Sequence, residues 1–370
     1  MQRSLLLSLL LVTGFLWSGC DSQAPDATQR VAVAEGDQAS GRAYHLVWDQ
    51  FKDGFSVDGP DAKWFYFAAG PHVGNDGTVT TSRRSGLRVV SSGTNQATGE
   101  PAFTLSLGQE GSPDNPFGLP GTVDHVKWLA FMNAATPSGV PGFEAVEGQE
   151  LSCEATMSGE TFGTAGHPFG SAVANAEDDF RLATVTMSAI DFETFVHFLF
   201  AITNERIYAI YERPPLARAV FGDYAGFVFG VPVAERNPGD EHKLEIAFDK
   251  AAGTVRWLVQ NREVFRVDAI GHLIDREHLL IDHGGTEQLV SPNQLDCGMG
   301  LLNLLDGRGP GGEGLVRISN TSDFYFDPEV GAPAPASFVD EASAGTSRLF
   351  GQGAELRMKR FAVSSRPSND

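Results

Sequence analysis

Two carboxylates and an imidazole recur at alternate positions in Met187–Phe200, which reads Met-Ser-Ala-Ile-Asp-Phe-Glu-Thr-Phe-Val-His-Phe-Leu-Phe. Taken as one β-strand, Asp191, Glu193, Phe195 and His197 point one way, and Ile190, Phe192, Val196, Phe198 and Phe200 point the other. The apolar face packs on a core. Charged groups in register on the opposite face are costly unless that face lines a solvated groove. Strand rise puts the Cα atoms of Asp191 and Glu193 roughly 6.6 to 7 Å apart. At that spacing two like groups can hold one proton between them and act as acid and base. His197, in phase with Glu193, could orient a ligand or shuttle a proton near neutral pH. A plainer alternative pairs the carboxylates with Arg206 or Arg213 on the next strand.

Other candidates surround this stretch. Arg206, Tyr208, Tyr211, Glu212 and Arg213 lie on or just after the following strand, where a Tyr beside carboxylates suits sugar stacking. Trp64, Trp128 and His125 sit beside loops or strand ends, the expected place for an aromatic platform; Trp257 reads as core. Asp282-His283-Gly284-Gly285 has no Gly-x-Ser-x-Gly nucleophile turn to accompany it. Asn175–Asp179 offers oxygen ligands for calcium without the spacing of an EF-hand loop, and no paired Cys-x-x-Cys marks a zinc site. No cofactor is expected beyond that possible calcium.

The elements that must carry these residues are short apolar runs broken by Gly, Pro, Asn and Asp, with almost no sustained helical period. The chain therefore reads as all-β. The clearest unit is a meander: His242–Asp249, a turn at Lys250–Gly253, Thr254–Gln260, a turn at Asn261-Arg262, then Glu263–Val267. Glu150–Ser158 alternates with Leu151, Cys153, Ala155 and Met157 on one face, and Ala354–Val363 closes the chain as a further alternating strand. Loops rich in Gly and Pro are expected at 108–122, 307–313 and 331–336.

Length and charge bound the function. With 370 residues, 42% of them hydrophobic and 26 Phe, the chain can bury a large core. A formal charge of −20 disfavours nucleic acid and anionic membranes as partners. Residues 1–20 carry Arg3, an apolar run from Leu5 to Trp17, then Ser18-Gly19-Cys20, the architecture of a secretory signal. Leu16-Trp17-Ser18-Gly19-Cys20 resembles a bacterial lipobox, with Trp17 where that pattern usually has Leu. The resemblance implies lipidation of Cys20 and a protein held at the cell envelope outside the cytoplasm, with plain secretion as the alternative. Residues 21–43 read as a polar tether, 44–365 as one domain and 366–370 as a tail. No later run reaches the ~18 apolar residues of a membrane helix. Cys153 and Cys297 then remain as a pair that could form a disulfide in an oxidising compartment, or stay as two buried thiols.

His242–Val267, with its Arg-Trp-Leu-Val and Asn-Arg-Glu-Val phrases, and the closing strand Leu356–Val363 resemble concanavalin A-like lectin and glucanase domains over roughly residues 44–365. That resemblance implies a jelly-roll β-sandwich whose concave face takes sugar chains. The whole chain, especially Trp64–Glu100 and Leu349–Arg360, also resembles a bacterial and fungal family of unassigned function. Family-16 glycoside hydrolases carry Glu-x-Asp-x-Glu on a central strand; here the matching positions hold Ala189, Asp191 and Glu193. Ala189 cannot be a nucleophile, so a retaining double displacement is not expected. The leading expectation is glycan binding on the concave face, in contact with Phe195, His197, Arg206, Tyr208, Glu212, Trp64, Trp128 and His125. A glycoside hydrolase-like or lyase-like enzyme using Asp191 and Glu193, and a hydrophobic small-molecule pocket lined by Phe195, are the alternatives.

Overall fold

The computed structural model describes residues 31–32 and 43–368. Cys20 and the signal segment lie outside the described residues. Within the expected tether, Val31–Ala32 bridges in parallel to Ala134–Ala135. Among the described residues no helix is long and apolar enough to cross a membrane.

Sixteen strands build the frame: β1 (Tyr44–Asp49), β2 (Trp64–Tyr66), β3 (Gly77–Ser82), β4 (Gly86–Ser91), β5 (Val126–Met132), β6 (Gln149–Phe162), β7 (Thr184–Asp191), β8 (Val196–Ile202), β9 (Arg206–Arg213), β10 (Phe227–Glu235), β11 (His242–Asp249), β12 (Thr254–Val259), β13 (Arg262–Val267), β14 (Leu279–Asp282), β15 (Gln294–Leu302) and β16 (Gly353–Pro367). One sheet runs β14-β10-β9-β8-β7-β15-β5-β2, with the short strand Phe143–Glu144 added beside β15. The other runs β13-β12-β11-β6-β16-β4-β3, with β1 also on β16. All pairings within the two sheets are antiparallel. The chain switches sheets between β5, β6 and β7 and again between β10 and β11, and the first of these strands pairs with the last. This is a jelly-roll β-sandwich, as the sequence led us to expect.

Period-two patterning explains the packing. Val185, Met187 and Ala189 of β7, Val196, Phe198, Phe200 and Ile202 of β8, and Ile207, Ala209 and Tyr211 of β9 point inward. Across from them, Cys153, Leu244, Ile246, Trp257, Leu356 and Phe361 close the same core. Phe198 meets Trp257 edge-on with ring centres 5.7 Å apart, and the Trp257 indole donates to the Leu199 carbonyl at 2.8 Å. Cys153 of one sheet and Cys297 of the other are joined as a disulfide, with Cα atoms 5.8 Å apart. Of the two alternatives for these thiols, the structure has the bond.

The outward face of the nine-stranded sheet is partly roofed. Phe169, Val173, Phe180 and Leu182 from one excursion, and Leu305, Leu315, Phe324 and Phe338 from another, cover Leu199, Ala201, Ile210 and Val228. At the other end Phe65, Leu129, Phe131 and Ile190 form a smaller apolar cluster, with Phe67, Phe192 and Leu302 packed at its edge. A seam runs between the two clusters.

Candidate functional site

The stretch expected to be one strand is a hairpin. β7 ends at Asp191 and β8 begins at Val196, and the two pair antiparallel from Asp191↔Val196 onward. Residues 192–195 are the turn, closed by the Phe195 amide donating to the Asp191 carbonyl at 2.8 Å, with Phe195 at φ 56°. Asp191 builds this turn: its carboxylate accepts from the Glu193 amide (2.9 Å), the Thr194 hydroxyl (2.7 Å) and the Gln294 side chain (2.6 Å). It is fully buried, and burial raises its pKa to about 6. Glu193 is exposed at the turn tip and accepts from Asn293 at 3.3 Å. Asp191 and Glu193 are therefore not two groups in register on an open strand face. Ala189, the family-16 nucleophile position, points into the inter-sheet core, so that enzyme's constellation is absent here. Phe195 belongs to the turn, not to a groove floor.

His197 does face outward, and it is held on both sides. Its Nδ1 lies 2.7 Å from Glu212 Oε1, and its Nε2 meets the Ser188 hydroxyl in a short hydrogen bond. With Nδ1–H donating to the carboxylate, Nε2 is left to accept from Ser188. Three adjacent strands supply one residue each: β7 gives Ser188, β8 His197 and β9 Glu212. His197 sits directly opposite Glu212 in the ladder and diagonal to Ser188. Beyond Ser188 the row continues through Gly298 to Phe131. A Cβ on Gly298 would stand 2.6 Å from the Phe131 ring, so glycine is what lets that ring lie over β15.

A second histidine–carboxylate pair borders the first. His125 Nε2 is 2.6 Å from Asp306 Oδ1, and the Tyr325 hydroxyl donates to Asp306 Oδ2 at 2.5 Å. Burial alone would lower the His125 pKa, but the Asp306 carboxylate overrides it, helped by Asp124 and Glu212, and the net shift is upward. Below the roof, His283 is fully buried against the Phe324 carbonyl, and burial lowers its pKa to about 4. Two polar groups nearby have no hydrogen-bond partner among the described residues: the Thr186 hydroxyl, outward on β7, and the Asn303 side-chain amide. Both are buried.

The remaining candidates divide. Trp64 and Trp128 are fully buried in the inter-sheet core, so neither is a surface platform. Period two on β2 and β5 turns them inward. Arg206 is exposed and pairs with Asp178 at 3.2 Å, and the Tyr208 hydroxyl, under the roofed end, donates to the same carboxylate at 2.9 Å. Arg206 thus does not pair with Asp191 or Glu193. Arg213 is buried over the Tyr224 ring at 3.9 Å. Of the expected contact residues, His197 and Glu212 are brought together, and the Glu212 charge also acts on His125; Ser188, Thr186, Asn303 and Asp306 were not singled out in the sequence. Among the described residues no group of three or more His, Cys, Asp or Glu is placed to hold a metal ion.

The profile of a family described as of unknown function, DUF6081, matches residues 48–367. The chain belongs to this family. A further relative is uncharacterized protein L829 of Acanthamoeba polyphaga mimivirus, 26% identical over 385 residues that cover 80% of this chain and 83% of that one. Among solved structures, the family member is similar to alginate lyase A1-II' of polysaccharide lyase family 7 (TM-score 0.36, 9% identity, 78% of this chain and 84% of that one). It is also similar to Crh5 transglycosylase in complex with NAG (TM-score 0.37, 10% identity, 88% and 84%).

Proposed function

We propose that this protein binds a carbohydrate along the seam on the outward face of the nine-stranded sheet. The observation that carries the reading is a line of partly exposed polar heads between two apolar clusters. The side chains of His125, His197 and Glu212 are 12%, 9% and 21% exposed, and half-buried Phe67, Phe192 and Leu302 edge the smaller apolar cluster. A pyranose presents hydroxyls that donate and accept on its rim and a C–H surface on its face, and a wall of this composition answers both. Pre-formed hydrogen bonds hold His197 and Glu212 in place, which lowers the ordering cost of binding.

The test is a glycan array followed by calorimetric titration of the best ligand. Glu212→Gln keeps the shape of the side chain and removes its charge. It should weaken binding by about 1.5 to 3 kcal/mol, the worth of a hydrogen bond to a charged group. An unchanged affinity would remove Glu212, and with it the seam, from the site.

The same reading places the protein outside the cytoplasm, anchored by lipid on Cys20. The signal architecture of residues 1–20 supports this, and so does a buried disulfide, which persists where the surroundings are oxidising. Cys20→Ser should abolish lipid labelling and release the protein from membranes; retention after that change would contradict the anchor.

A further inference from the structure

We infer that Ser188, His197 and Glu212 form a nucleophile, base and orienting carboxylate, and that the protein cleaves acyl esters carried by the ligand of the seam. The carbohydrate part of this statement rests on the reading above; the chemistry assigned to Ser188 does not.

The wiring is the argument. The Ser188 hydroxyl bonds to His197 Nε2, and His197 Nδ1 bonds to Glu212 Oε1 at 2.7 Å. That connectivity is what activates a serine: the carboxylate fixes the tautomer, and the free imidazole nitrogen takes the hydroxyl proton. Such constellations are recognised by geometry and roles, not by sequence motif. Placement on three adjacent paired strands holds the three groups in fixed relation. A purely structural chain would be an odd choice on a face whose neighbouring positions are Ile190, Leu199 and Ile210, since apolar residues there need no polar partners.

A buried donor stands ready for the oxyanion. Thr186 lies two positions from Ser188 on the same face of β7, so its Cα is roughly 6.6 to 7 Å away. Its hydroxyl is fully buried with no hydrogen-bond partner among the described residues. Ser188 itself is fully buried, and in its row the Phe131 ring lies over Gly298 and packs edge-on against half-buried Phe192 at 5.2 Å. Phe192 sits on the hairpin turn, so substrate entry requires this ring pair to part.

In the step itself, Ser188 Oγ attacks the ester carbonyl while its proton passes to His197 Nε2. The tetrahedral oxyanion is held by Thr186. Collapse breaks the bond to the alcohol oxygen, which leaves with the proton from His197. Water then gives a proton to His197 and attacks the acyl-enzyme; the acyl–Oγ bond breaks, His197 returns the proton to Ser188 Oγ, and the carboxylic acid leaves.

The experiment treats the full chain with a fluorophosphonate probe, maps the adduct by mass spectrometry, and follows p-nitrophenyl acetate turnover alongside. The adduct should fall on Ser188 and vanish in Ser188→Ala. Turnover should fall about 10³-fold or more in Ser188→Ala and at least about 100-fold in Glu212→Gln. Phe192→Ala should label several-fold faster. Near-ultraviolet circular dichroism verifies that each variant is folded. The proposal is overturned if folded wild type and folded Phe192→Ala both leave Ser188 unlabelled, or if turnover in Ser188→Ala equals wild type. A protein that labels at Ser188 but binds no glycan keeps the triad and loses the carbohydrate reading. One that binds glycan but never labels loses the triad alone.

Discussion

The two outward faces of this sandwich share one core and are built on opposite principles. On the eight-stranded sheet the outward side chains form exposed or half-exposed ion pairs: Lys243 with Glu154 at 2.6 Å, Arg256 with Glu263 at 3.1 Å, Arg366 with Glu150 at 3.3 Å. These charges are paired and partly exposed, as on an ordinary solvated surface, with the buried carboxylates Glu245 and Glu355 held beneath Arg366 and Arg88. On the nine-stranded sheet the outward side chains are mostly apolar and partly roofed, broken by a chain of buried hydroxyl, buried imidazole and half-buried carboxylate. A chain that can place its charges cheaply on one face, yet keeps Ser188, His197, Thr186 and His125 at a desolvated seam on the other, points to the seam as the place where polar chemistry is needed.

Both faces rest on a single shared core, and the largest expected effects test that. Phe198→Ala empties the space between the sheets beside Trp257 and should cost about 3 to 5 kcal/mol. Chemical denaturation should show one lowered transition for both faces; two separate transitions would split the sandwich. Replacing Cys153 and Cys297 together by Ala should cost about 2 to 5 kcal/mol, since the bond closes a loop of 144 residues. Wild type and variant melting under reducing conditions should then coincide.

The buried polar face should also answer to pH. His283 has a folded pKa of about 4 against an ordinary 6.5, so the unfolded chain binds more protons between those values and stability falls as pH drops through them. Asp191 runs the other way: its folded pKa of about 6 exceeds the ordinary 3.8, so the folded chain binds more protons and stability rises as pH drops from about 6. Each contributes about 3 kcal/mol over its window. Asp191→Asn keeps an acceptor for the turn and removes the second effect. Its stability relative to wild type should therefore fall by about 3 kcal/mol between pH 7 and pH 4, measured by urea denaturation at each pH; a constant difference would contradict the Asp191 shift.

Smaller effects separate the faces further. Thr186→Val replaces a buried hydroxyl lacking a protein partner and should raise stability by about 1 kcal/mol, visible as a higher melting temperature. Lys359→Ala removes an exposed pair with Glu241 at 2.7 Å on the charged side. It should shift stability by no more than about 0 to 1 kcal/mol, and a larger loss would mean that face is not the ordinary surface described here.

Much of this frame was legible in the sequence. The meander from His242 to Val267 carries its period and its turns openly, and Glu150–Ser158 and Ala354–Val363 alternate as the paired strands β6 and β16 do. The hairpin at 192–195 was not legible. Its turn holds Phe192, Glu193, Thr194 and Phe195, with no Gly, Pro or Asn to mark it, and apolar residues recur at even positions on both sides. The inward residues change from odd on β7 to even on β8. Even positions are therefore inward for Val196 and Phe198, as expected, and outward for Ile190. His197 was assigned to the right face for the same reason. Ser188 sits in Met-Ser-Ala-Ile, where nothing local marks it; its partner lies nine residues on and is reached through the hairpin, which pairing register reveals and periodicity does not. Trp64 and Trp128 were misplaced because proximity to loops says less about exposure than strand parity does.

The central claim is that the seam, and not the charged face opposite, receives the ligand. A crystal structure of the protein soaked with its best oligosaccharide from the array tests this most directly. The account predicts sugar hydroxyls within hydrogen-bonding distance of Glu212, His197 or His125, with a ring face against Phe192 or Phe67. A sugar seated instead among Glu150, Arg256 and Arg366 on the other sheet would contradict it.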